Sequence, residues 1–71
     1  MLRITALRKQ AGMSQAELAR RAGVHNSTLS LIESGRLHPY PSQILKLATG
    51  LGFRGAPEEL LDEVKSGLAA F

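Results

Sequence analysis

Residues 14–36 read Ser14-Gln15-Ala16-Glu17-Leu18-Ala19-Arg20-Arg21-Ala22-Gly23-Val24-His25-Asn26-Ser27-Thr28-Leu29-Ser30-Leu31-Ile32-Glu33-Ser34-Gly35-Arg36, and their punctuation decides the fold. Ser14 followed three residues later by Glu17 has the form of a capping box, in which each side chain satisfies the other residue's backbone amide. The helix it opens turns Leu18, Ala19 and Ala22 inward and ends at Gly23, a residue suited to a tight turn with positive φ. A further helix begins near His25 or Asn26, runs to about Ser34 and is closed by Gly35. Two short helices joined by a glycine turn give the outline of a helix-turn-helix over about residues 14–36.

The second of these helices carries more information than the outline. At about 100° per residue, Asn26, Ser30, Ser34, Ser27 and Leu31 fall within an arc of about 140°, while Thr28, Ile32 and Leu29 occupy the remainder. One face is therefore apolar, and the other is built of short polar side chains with one leucine. A solvated helix face is ordinarily filled with good helix formers such as Lys, Glu and Gln. Short residues instead suit a face that must come close to a flat edge, as when a helix enters the DNA major groove, about 12 Å wide. Asn26 can pair with adenine, the serines can donate or accept, and Leu31 can cover a thymine methyl.

Outward from this core the helical pattern continues. A first helix over about residues 2–11 places Ile4, Leu7 and Ala11 at helical spacing and stops at Gly12. Arg36 to Tyr40 form a loop, and Pro41 opens a fourth helix of about 41–50 with Ile44, Leu45, Ala48 and then Leu51 buried. Gly50, Gly52 and Gly55 punctuate the next connection. Ala56-Pro57-Glu58-Glu59 opens a fifth helix, about 57–70, whose apolar stripe is Leu60, Leu61, Val64 and Leu68. Strand signals are almost absent, so the expected fold is all-α with five helices, in a single domain over 1–71.

Composition narrows the function classes. The chain has 71 residues, a net charge of +3 and no cysteine. A domain this small buries only roughly 60% of its unfolded surface, which favours a compact binding module over an enzyme with a deep cleft. No disulfide framework or cysteine-based zinc site is available. His25 and His38 stand apart from any carboxylate cluster, and Ser14 and Ser30 lack a His/Asp partner arrangement, so neither a metal site nor a nucleophile is indicated and no cofactor is expected. The stretch at residues 1–10, interrupted by charge, lacks the uninterrupted apolar core expected of a signal peptide, and a cytoplasmic protein is expected. Charge is unevenly spread: residues 1–54 carry eight Lys/Arg against Glu17 and Glu33, a net of +6, while residues 55–71 are net −3. A basic body with an acidic tail suits a polyanionic partner.

The spaced set Ser14 to Ala19, Gly23-Val24, Ser27 to Ser30, Ile32 to Arg36 and Pro39 resembles the phage lambda repressor/Cro-like helix-turn-helix family, also called the XRE family of transcriptional regulators, over about residues 3–61. The resemblance implies a lambda-repressor-like domain whose partner is double-stranded operator DNA. It implies that Gln15 grips a backbone phosphate and that Asn26, Ser27 and Leu31 read base edges, with Ser30 on the same face. Ser34 and Arg36 match phosphate-contacting positions, and Arg8 and Glu33 match a largely buried ion pair. His25 stands where the family usually carries a capping Ser or Thr, which leaves Asn26 either as a base reader or as the cap. The family implies a homodimer on an inverted repeat, and the stripe Leu60, Leu61, Val64, Leu68 and Phe71 either pairs across the two-fold axis or completes the small core. A repressor, an antitoxin and a restriction-modification controller all fit, with regulation through concentration, dimerisation or a partner protein. The competing class is a helical protein-interaction module without DNA.

Overall fold

The computed structural model describes residues 1–64. Among them are four α-helices, α1 (Arg3–Gln10), α2 (Gln15–Ala22), α3 (Asn26–Glu33) and α4 (Pro41–Leu51), followed by a 3-10 turn at Pro57–Leu61. None of these helices is long and apolar enough to cross a membrane.

Local chemistry accounts for most of the boundaries. Ser14 Oγ accepts from the Glu17 amide at 3.0 Å and caps α2. The second half of the expected capping box is not formed, because the Glu17 carboxylate accepts from Arg21 at 2.8 Å, one helical turn on. Gly23 ends α2 with φ 76°, a left-handed conformation that sends the chain straight into α3. At the start of α4, Pro41 supplies a fixed φ and the Gln43 side chain accepts from the Tyr40 amide at 2.9 Å.

The core gathers Ile4 from α1, Leu18, Ala19 and Ala22 from α2, Leu29 and Ile32 from α3, and Ile44, Leu47 and Ala48 from α4, closed by Met13 and Leu60. Leu47, rather than Leu45, is the buried leucine of α4, and Leu45 stands 57% exposed. Gly50 lies inside α4 and not in a connection: a Cβ there would sit 3.2 Å from Ala22 Cβ, from the Ala22 amide nitrogen and from Leu18 Cδ1. Glycine at this position is what lets α4 approach α2 closely. Gly50→Ala would gain about 1 kcal/mol of helix propensity but crowd a backbone nitrogen that cannot swing aside, at about 1–3 kcal/mol. Thermal denaturation is therefore expected to show a lower midpoint, by several degrees, instead of the rise that an exposed helical Gly→Ala gives.

The expected fifth helix is corrected. The chain after α4 makes one 3-10 turn and then becomes extended at Asp62 (φ −69°, ψ 141°). The reason is a non-local pairing with the N-terminus. Arg3 N donates to Asp62 O at 2.8 Å and Val64 N to Met1 O at 2.8 Å, forming an isolated antiparallel bridge between Leu2 and Glu63. Arg3 opens α1 and its amide has no acceptor within the helix, so the Asp62 carbonyl supplies one. Leu60 is fully buried in the core, which removes it from any outward stripe, while Leu61 and Val64 are half-buried. Leu68, Phe71 and the rest of the expected helix to residue 70 lie outside the described residues.

Candidate nucleic-acid interface

The exposed face of α3 is set by what its other face must do. Leu29 and Ile32 are buried to 1% exposure or less, and Thr28 is half-buried. Asn26, Ser27, Ser30, Leu31 and Ser34 consequently all face outward, as the helical spacing predicts. The helix has eight residues, so this face is about 12 Å long.

At the helix N-terminus the capping role considered for Asn26 is not formed. His25 occupies the N-cap position without a side-chain capping bond, and Asn26 is the first helical residue, exposed. Asn26 is thus not the cap, and its amide group is free to meet a partner. The first intrahelical bond is Leu29 N to His25 O at 3.0 Å, which leaves the amides of Asn26, Ser27 and Thr28 without a protein acceptor. An uncapped helix start of this kind presents N–H groups to an anion.

At the other end of α3 the Leu31 carbonyl collects three donors. These are Ser34 Oγ at 3.0 Å, Arg36 N at 2.9 Å and Leu37 N at 3.2 Å. The Ser34 hydroxyl proton is therefore turned back onto its own helix, so toward an outside group the oxygen presents acceptor lone pairs. That arrangement is a poor match for a phosphate oxygen, for which a donor is needed. Arg36 is exposed and has no acidic partner among the described residues.

Arg8 and Glu33 form the ion pair that the sequence resemblance implied. Arg8 Nε donates to Glu33 Oε2 at 2.8 Å and Nη2 to Oε1 at 3.1 Å, with side chains 10% and 5% exposed. Arg8 Nη1 also donates to the Met13 carbonyl at 2.9 Å, so the guanidinium ties α1 to α3 and to the loop entering α2. The two-pronged geometry is the favourable one for guanidinium and carboxylate.

Gln15 joins this pair, a contact not anticipated from the sequence. Its Nε2 donates to Glu33 Oε1 at 3.0 Å. This holds the side chain of the first α2 residue against the last residue of α3. A primary amide has two hydrogens on nitrogen, so one remains for an outside acceptor after Glu33 takes the other. No local signal in the sequence points to this bond, because residues 15 and 33 meet only once α2 and α3 are packed.

The cations divide into two sets. Arg8 and Arg21 are engaged by Glu33 and Glu17, and Arg3 lies 3.9 Å from Glu59. Lys9, Arg20, Arg36, Lys46 and Arg54 are exposed with no acidic partner among the described residues. Three of the eight cations in the basic body thus have an acidic partner, and five do not. The exposed set still outweighs the acids there, since Glu17 and Glu33 are both paired.

A family described as a helix-turn-helix domain matches the chain over residues 2–62. The chain belongs to this helix-turn-helix family. No curated protein matches it, and no solved structure does. The matched span takes in all four helices and the 3-10 turn, so the helix-turn-helix of α2 and α3 comes with the α1 and α4 scaffold that buries its inner face. Membership suggests DNA as the partner of this domain.

Proposed function

We propose that this helix-turn-helix chain is a sequence-specific transcriptional regulator of the lambda repressor/Cro-like kind, a repressor that binds an inverted-repeat operator as a homodimer. The observation that carries this reading is the outward face of α3. Asn26, Ser27, Ser30 and Leu31 are exposed together on a rigid helix, with no charged side chain among them. In this reading α3 lies in the major groove, where those side chains meet base edges. Gln15 and Arg36, with the uncapped α3 amides, hold phosphates and fix the register. Ser34 acts at the helix end as an acceptor or through water, since its proton is committed. The chain has no catalytic role here.

The reading of a two-fold partner shifts with the C-terminal correction. The surface that supports it is the groove beside the α3–α4 loop, where Pro39, Tyr40, Ile44 and Leu61 converge and Tyr40 is 73% exposed. On an inverted repeat such a pair has to place its two α3 helices at half-sites about 34 Å apart.

The test is a comparison of positioning and reading. Arg36→Ala is expected to weaken specific and non-specific duplexes alike. Asn26→Ala is expected to cost about 1–3 kcal/mol on the preferred duplex and far less on random DNA. Both are read by fluorescence anisotropy. Equal losses for Asn26→Ala on both duplexes would remove Asn26 from base recognition.

A further inference from the structure

Leu31 is the large apolar group on the outward face of α3, 41% exposed among Asn26, Ser27, Ser30 and Ser34. A single exposed leucine calls for no explanation by itself. Its backbone setting is less ordinary. Three donors, Ser34 Oγ and the amides of Arg36 and Leu37, converge on the Leu31 carbonyl, and the flanking Leu29 and Ile32 are locked in the core. The backbone that carries Leu31 is therefore held in place at the end of a packed helix, while its side chain stays exposed.

The rest of the face limits what can be read. Guanine is recognised by a cationic side chain reaching O6 and N7, and α3 carries no Lys or Arg. The serines extend only one bond past Cβ. Asn26 and Leu31 are the two side chains of the face with further reach, one an amide and one wholly apolar. On the major-groove edge the group that an apolar tip recognises is the C5-methyl of a pyrimidine.

We infer that Leu31 selects a pyrimidine C5-methyl, thymine at one fixed position of each half-site, with 5-methylcytosine accepted there in place of thymine. This rests on the DNA-reading function above and names its base chemistry. Removing one methyl from water is worth about fourfold in affinity.

The experiment enriches duplexes from a random library with the full chain, then replaces each thymine of the enriched duplex by deoxyuridine, one at a time. At one position per half-site, uracil is expected to weaken binding about fourfold. Leu31→Ala is expected to bind the thymine and uracil duplexes equally. At the same position a cytosine·guanine pair is expected to regain about fourfold when the cytosine carries a 5-methyl. Indifference to uracil at every position, an unchanged uracil penalty in Leu31→Ala, or an enriched half-site without a fixed thymine overturns the inference while leaving DNA binding intact. Failure to enrich any duplex overturns the DNA-reading function itself, and this inference with it.

Discussion

Glu33→Ala is expected to destabilise the domain by about 3–5 kcal/mol, because it strands the Arg8 guanidinium in a site where only 10% of that side chain meets solvent. Removing the carboxylate deletes both prongs of the Arg8 pair and the acceptor of Gln15 Nε2 in one step. The Met13 carbonyl remains for Nη1 but does not compensate a buried charge. A domain of this length has a total stability of only about 4–10 kcal/mol. The variant is therefore expected to be largely unfolded, or to melt not far above room temperature. Urea denaturation followed by circular dichroism measures the loss. A drop below about 1 kcal/mol would show that the pair contributes little beyond an exposed one.

The second large effect is on DNA affinity. If a dimer neutralises roughly five to eight phosphates, log affinity falls linearly with log salt with a slope of about −4 to −7. Raising salt from about 50 to 200 mM then costs roughly two to four orders of magnitude. The cations available to supply that slope are Lys9, Arg20, Arg36, Lys46 and Arg54, since Arg8 and Arg21 are already paired inside the protein. Arg36→Ala is accordingly expected to make the slope less negative by about one unit per protomer. Arg21→Ala is expected to change it much less. A slope near zero would mean that phosphates are not what the basic body meets.

The parts of the fold legible in the sequence are those specified locally. Ser14 caps α2, Gly23 breaks it in the left-handed region, and the alternation of Leu29 and Ile32 with Asn and Ser orients α3. Each signal acts within four residues of itself. The exchange of Leu45 for Leu47 in the core was legible too, but only by angle. Ile44, Leu47, Ala48 and Leu51 fall within about 100° of the α4 circumference, with Leu45 about 100° from Ile44.

What was not legible depends on distant residues meeting. The segment after Leu60 has helix-compatible composition, yet its backbone is claimed by Met1 and Arg3. Gly50 reads as punctuation until Ala22 is placed opposite it. Glu17 has two local partners of similar merit, the Ser14 amide and Arg21, and the charged one prevails. For the site, the five outward residues of α3 follow from periodicity alone. The orientation of Gln15 does not, because it is fixed by a carboxylate 18 positions away.

The central claim is that the outward face of α3 lies against DNA. The most direct measurement is nuclear magnetic resonance of the uniformly nitrogen-labelled chain titrated with the enriched duplex. The expected result is that the largest amide and side-chain shifts fall on Gln15, Asn26, Ser27, Ser30, Leu31, Ser34 and Arg36, with the Gln15 and Asn26 side-chain amides among them. Tyr40 and Leu45 should move little at protein concentrations where the oligomeric state is constant. Shifts confined to the apolar groove around Tyr40 and Leu61, with α3 unmoved, would contradict it and place the binding surface elsewhere on the domain.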